Sequence, residues 1–65
     1  MSIYSFKELK LKAGDIIYMQ NENGEGITGI FEDYNSSQET FRFQNYSNGK
    51  NEIIQIEKLQ SISRG

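Results

Sequence analysis

The sequence predicts an all-β domain, a five-stranded small barrel entered through a short helical turn. Two Asn-Gly pairs, Asn23-Gly24 and Asn48-Gly49, each sit between strand-like segments, and Asn-Gly readily supplies the positive φ angles of a tight hairpin. Thr40 to Tyr46 places Phe41 and Phe43 one way and Thr40, Arg42 and Gln44 the other, the period of a half-buried strand. A one-turn link before a short final strand completes the pattern.

The elements follow in order. Ser5-Phe6-Lys7-Glu8 fits a capping box with Ser5 as cap, so a helical turn is expected over about Phe6 to Lys10. Lys12-Ala13-Gly14-Asp15 reads as a turn. Strand 1 is expected from Asp15 to Gln20, with Ile16 and Tyr18 on one face and Ile17 and Met19 on the other. Strand 2 runs from Gly26 to about Asp33, and its glycines, Gly26 and Gly29, fit a strongly bent strand. Tyr34 to Glu39 is a polar loop, and Thr40 to Tyr46 is strand 3. Strand 4 covers Asn51 to Ile56. Glu57-Lys58-Leu59 is expected to form a single 3₁₀ turn before strand 5, Gln60 to Ser63. Five strands so connected describe an SH3-like barrel. Residues 1–65 make one domain, with 1–11 as an N-terminal arm or helical turn and 12–63 as the barrel.

A chain of 65 residues buries only about 60% of its unfolded surface. The large apolar side chains that could fill its core are Ile16, Tyr18, Ile27, Ile30, Phe31, Phe41, Phe43, Ile54, Ile56, Leu59 and Ile62. Cysteine and histidine are absent, which excludes disulfides and thiolate or imidazole metal sites. Association with a second chain is the stabilising device left, so a homo-oligomer is expected. No apolar run is long enough to span a bilayer and the N-terminus has no signal-peptide pattern, so no membrane partner and a cytoplasmic location are expected.

The net charge of −2 is unevenly placed. Residues 1–14 carry Lys7, Lys10 and Lys12 against Glu8. Residues 15–41 carry six acids, among them Glu32 and Asp33, and no base. Residues 42–65 carry Arg42, Lys50, Lys58 and Arg64 against Glu52 and Glu57. The overall basic footprint of nonspecific nucleic-acid binding is missing. A local basic face can still form where terminal strands meet.

Catalysis has little to work with. Without histidine or cysteine the usual nucleophile–base pairs cannot be built. Glu32 and Asp33 are adjacent carboxylates, but neighbours on a regular strand point to opposite faces, so they are not expected to converge. Gly24-Glu25-Gly26 lacks the following helix that a phosphate loop needs. No enzyme activity, cofactor or metal is expected.

Aromatic residues are the richer resource. Phe31, Phe41 and Phe43 read as core. Tyr18, Tyr34 and Tyr46 fall near strand ends, where a tyrosine favours a partly wet position and a rim of rings can stack bases or hold a cation. With Arg42 on the polar side of strand 3, these three tyrosines are the candidate ligand-binding residues. Glu32 and Asp33, with Ile53 and Gln55 on the apolar edge Ile53-Ile54-Gln55-Ile56, are the candidate protein-interaction residues.

Gly29-Ile30-Phe31-Glu32-Asp33-Tyr34-Asn35 resembles the glycine, apolar, aspartate, aromatic, asparagine pattern of the Sm-like (Hfq-type) family, with shortened spacing. Ile54-Gln55-Ile56-Glu57-Lys58-Leu59-Gln60-Ser61-Ile62 is similar to that family's last two strands. The resemblance implies a ring in which strand 4 of one subunit pairs with strand 5 of the next, and it implies RNA binding. Gln55, Ile56 and Glu57 stand where the bacterial members carry tyrosine, lysine and histidine, so RNA would have to use the other face or the rim. Gly14-Asp15 and Phe43-Gln44-Asn45-Tyr46-Ser47-Asn48, followed by Glu52 and Ile54, also resemble Tudor domains. Asn45 and Ser47 replace that family's aspartate and glycine, leaving the methyl-ammonium cage incomplete. Three readings follow: an oligomeric Sm-like RNA-binding module, a bacterial or phage-encoded adaptor that takes a protein partner on its acidic face, and an oligomer that binds a small ligand or nucleotide.

Overall fold

The computed structural model describes the whole chain, Met1–Gly65, as one short helix and a single antiparallel sheet. In chain order these are α1 (Ile3–Glu8), β1 (Ile16–Gln20), β2 (Gly26–Asn35), β3 (Thr40–Asn45), β4 (Asn51–Gln55), a 3₁₀ turn (Ile56–Lys58) and β5 (Ser61–Arg64). The strands lie in the order β4-β3-β2-β1-β5. The sheet is open: β4 pairs only with β3, and β5 only with β1.

The helix starts earlier than the sequence predicts. Ser2, in an extended conformation, is the cap, and its Oγ accepts the Ser5 N–H at 3.2 Å. Ser5 lies inside the helix, where its Oγ accepts from the Ser2 hydroxyl. Packing explains the shift. With Ser2 as cap, the turn is already wound when it reaches Phe6. That ring then lies on the sheet, with centroids 5.2 Å from Phe41, 5.3 Å from Tyr34 and 6.2 Å from Phe31. Lys10, at φ 50°, leaves the helical path just beyond the end of α1.

The core lies on one face of the sheet, beneath α1 and the 3₁₀ turn. Its buried side chains are Phe6, Ile17, Met19, Phe31, Phe41, Phe43, Ile56 and Leu59. Strand 1 therefore faces the opposite way from the expected core. Ile17 is 0% exposed and Met19 2%, whereas Ile16 is 37% and Tyr18 51% exposed. Both faces of β1 are apolar, so alternation alone does not choose between them. Pairing does: Ile17 stands opposite Gly29 and Met19 opposite Ile27, on the same face as Phe31 and Phe43. Ile30 pairs with Ile16 and shares its outward face. Ile27, Ile54 and Ile62 are half-buried at the margin of the core, as is Tyr34.

Both Asn-Gly turns form. Gly24 and Gly49 take φ values of +82° and +71°, and their N–H groups donate to the Asn21 and Asn45 carbonyls at 2.9 and 2.7 Å. The two glycines of β2 differ. A Cβ on Gly29 would stand 2.7 Å from Phe43 Cδ2 and 2.8 Å from the Gln44 carbonyl, so the close approach of β3 requires glycine there. Gly26 has open space at the same position. β2 also runs two residues past the expected end, because Tyr34 pairs with Phe41 and rests its ring on Phe6.

Candidate functional site

The side of the sheet opposite α1 has no element over it, and its residues can be read row by row from the register. One row is Ser63, Tyr18 and Thr28. Tyr46, just past β3, extends it by donating its N–H to the Thr28 carbonyl at 2.9 Å. The next row is Ile16, Ile30, Gln44 and Asn51. A third joins Asp33, Arg42 and Ile53. A fourth joins Asn35, Thr40 and Gln55.

The third row contains the main departure from the expected chemistry. The ladder shifts between Phe31 and Asp33, so Glu32 is the extra residue of a β-bulge. A bulge changes the direction of successive side chains, and here it brings both carboxylates to one guanidinium. Arg42 Nη2 donates to Asp33 Oδ2 at 2.5 Å, and Arg42 Nε lies 3.4 Å from Glu32 Oε1. With its amide oriented to donate, Asn51 on β4 reaches the same Glu32 carboxylate at 3.2 Å. The expectation that Glu32 and Asp33 diverge is therefore corrected. They converge on Arg42, as a partly exposed charge network carrying one net negative charge.

The three tyrosines do not form one rim. Tyr18 and Tyr46 share the outer row with Thr28 between them, so they stand about two strand spacings apart, roughly 10 Å. Both are more than half exposed, at 51% and 59%. Tyr34 lies on the other face against Phe6. Ile53, in the third row, is 70% exposed, while its neighbour Ile54 turns inward against the core. Gln55 is exposed at the end of β4, and Ile56 is buried in the 3₁₀ turn. The expected apolar edge is thus reduced to one outward isoleucine.

Sequence reasoning missed Ile16, Thr28, Ile30 and Asn51 as members of this surface. The available signal was strand 1 itself, which is apolar on both faces and so presents apolar groups on whichever side remains open. The cavities along β3 and β4 are small. One of about 190 Å³ is lined by Asp33, Asn35, Thr40, Arg42 and Ile53, among others, below the range of about 300–1,000 Å³ typical of small-molecule sites. No group of three or more acidic side chains is placed to hold a metal ion. No buried polar side-chain atom is left without a partner. No protein-family model matches the chain, and it has no match among curated proteins or solved structures.

Proposed function

We propose that the protein is a non-catalytic binding module that takes a protein partner on the outer face of its sheet. The observation that carries this reading is the placement of Ile16, Tyr18, Tyr46 and Ile53 on one uncovered face, amid Gln44, Asn51, Ser63 and the Arg42 network. Apolar groups gathered on a face with polar surroundings are a usual mark of an interaction surface. Electrostatics favour a basic protein segment over RNA. Arg42 is matched by two carboxylates in contact, and residues 15–41, which include β1 and β2, carry acids and no base. Phosphate binding needs uncompensated cations.

The Sm-like RNA-binding reading is a second proposal, and one observation favours it. The strand order leaves β4 and β5 at opposite edges, as head-to-tail pairing in an Sm-type ring requires. The leading helix, and the 3₁₀ turn before β5, also support an SH3-like plan of this kind.

Selection of random peptides displayed on phage, with a Tyr18→Ala/Tyr46→Ala double variant as counter-target, tests the first reading. Selected peptides should be rich in Lys, Arg and aromatic residues, bind more weakly as salt rises and lose affinity for the double variant. Peptides indifferent to the double variant would overturn it. So would a purified protein that retains RNA, shown by high absorbance at 260 nm, and binds oligouridylate through Tyr18 and Tyr46.

A further inference from the structure

We infer that β4 is a self-pairing edge, and that two copies of the chain join through antiparallel β4–β4 pairing about a two-fold axis at Ile53. This goes beyond the proposed partner on the outer face and does not depend on it. It also differs from head-to-tail pairing of β4 with β5.

Three features of β4 support the inference. The first is that the edge is only lightly protected. A free strand normally carries a lysine, a proline, a bulge or an inward charge that prevents pairing. Asn51-Glu52-Ile53-Ile54-Gln55 has no proline, lysine or bulge. Its one protective device is the inward-facing Glu52, opposite Phe43, whose carboxylate is held within its own chain by Asn45 Nδ2 at 3.1 Å and Asn48 Nδ2 at 3.3 Å. β5 presents a poorer edge: it has four residues and ends at Arg64, whose guanidinium is engaged by the Leu9 carbonyl and Asp15.

The second is self-complementarity. An isologous contact sets each residue against its symmetry partner. Antiparallel pairing centred on Ile53 opposes the two exposed Ile53 side chains, a favourable β-branched cross-strand pair. It sets Asn51 against Gln55 of the second copy, an amide pair with donors and acceptors on both sides, and Glu52 against Ile54. No like charges stand directly opposite. Pairing with β5 in the same facial sense would set Ile53 against a serine, since Ser61 and Ser63 are the outward residues of that strand.

The third is the neighbouring charge. Arg42 stands beside Ile53 on the next strand, so pairing brings the Arg42 residues of the two copies into one row across the seam. Each is matched by Glu32 and Asp33 in its own chain, which suppresses their repulsion. The product is a continuous ten-stranded sheet with both outer faces on the same side.

Light scattering across a concentration series reads the association, and one cysteine reads the register. The wild-type mass should rise from 7.5 kDa toward twice that value and no further. Ile53→Lys should hold it at the monomer value with the circular dichroism spectrum unchanged, because the side chain is mostly exposed. The chain has no cysteine of its own. Residues directly opposite on antiparallel strands lie about 5 Å apart at Cα, within disulfide range. Ile53→Cys treated with oxidised glutathione should therefore form a covalent dimer, whereas Ser37→Cys in the polar loop should stay monomeric. A wild-type mass fixed at the monomer value at millimolar concentration would overturn the inference. So would assemblies larger than a dimer in which Ile53→Cys does not cross-link, the pattern expected of β4–β5 pairing.

Discussion

Arg42 and Asp33 stand directly opposite each other on β3 and β2, with Arg42 Nη2 donating to Asp33 Oδ2 at 2.5 Å. The pair sits where the β-bulge ends, and the bulge residue Glu32 approaches the same guanidinium from the neighbouring position. One cation thus holds two carboxylates that an unbroken strand would send to opposite faces. Because the Arg42 and Asp33 side chains are at least half exposed, solvent screens the network. Its main effect is on the charge and shape of the outer face rather than on stability.

Replacing Arg42 tests that division. Arg42→Met should lower the unfolding free energy by no more than about 1 kcal/mol, the upper range for an exposed ion pair. The loss should shrink as salt is added. Urea denaturation at low and high ionic strength measures both. A loss of several kcal/mol at either salt would show that the network is structural.

The two faces of β1 should respond differently to truncation. Ile17→Ala removes a fully buried side chain and should cost about 2–5 kcal/mol, enough to unfold much of so small a domain. Ile16→Ala acts on the open face and should cost less than about 1 kcal/mol. Equal losses in thermal or chemical denaturation would contradict the assigned facing of the strand.

The helix depends on Ser2 and Phe6. Ser2→Ala should destabilise by about 0.5–2 kcal/mol through loss of the N-cap, while Ser5→Ala should have the smaller effect. Phe6→Ala should cost about 3–5 kcal/mol, since it empties the contact with Phe31, Tyr34 and Phe41. The order Phe6, Ser2, Ser5 in denaturation midpoints is the checkable result.

Glycine substitutions on β2 should differ in sign. Gly29→Ala drives a methyl group into the Phe43 ring and the Gln44 carbonyl, and should cost about 1–3 kcal/mol. Gly26→Ala meets nothing and restricts the unfolded chain, so it should be neutral or stabilising by up to about 1 kcal/mol. Melting temperatures of the two variants give the comparison directly.

Local chemistry made much of this fold legible in advance. Asn-Gly needs no distant contact to favour a tight turn, so both hairpins were readable, and with them the succession of strands. The alternation of Phe41 and Phe43 likewise placed β3 and its buried face. The site was less legible. Tyr18 and Tyr46 could be picked out as exposed aromatics, but nothing local separates them from Tyr34, which turns inward because its β3 partner Phe41 and the helix residue Phe6 cover it.

By itself, then, the sequence determined the strands, their order along the chain and the turns between them, because each rests on residues close together. Tertiary structure alone decided the rest. Strand 1 is apolar on both faces, and only its register with Gly29 and Ile27 turns Ile17 and Met19 inward. The helix start follows from where Phe6 finds the sheet, not from the stronger-looking capping box. The convergence of Glu32 and Asp33 on Arg42 arises from one inserted residue in the β2–β3 ladder. A bulge is a property of two strands in register, and neither strand's residues specify it alone.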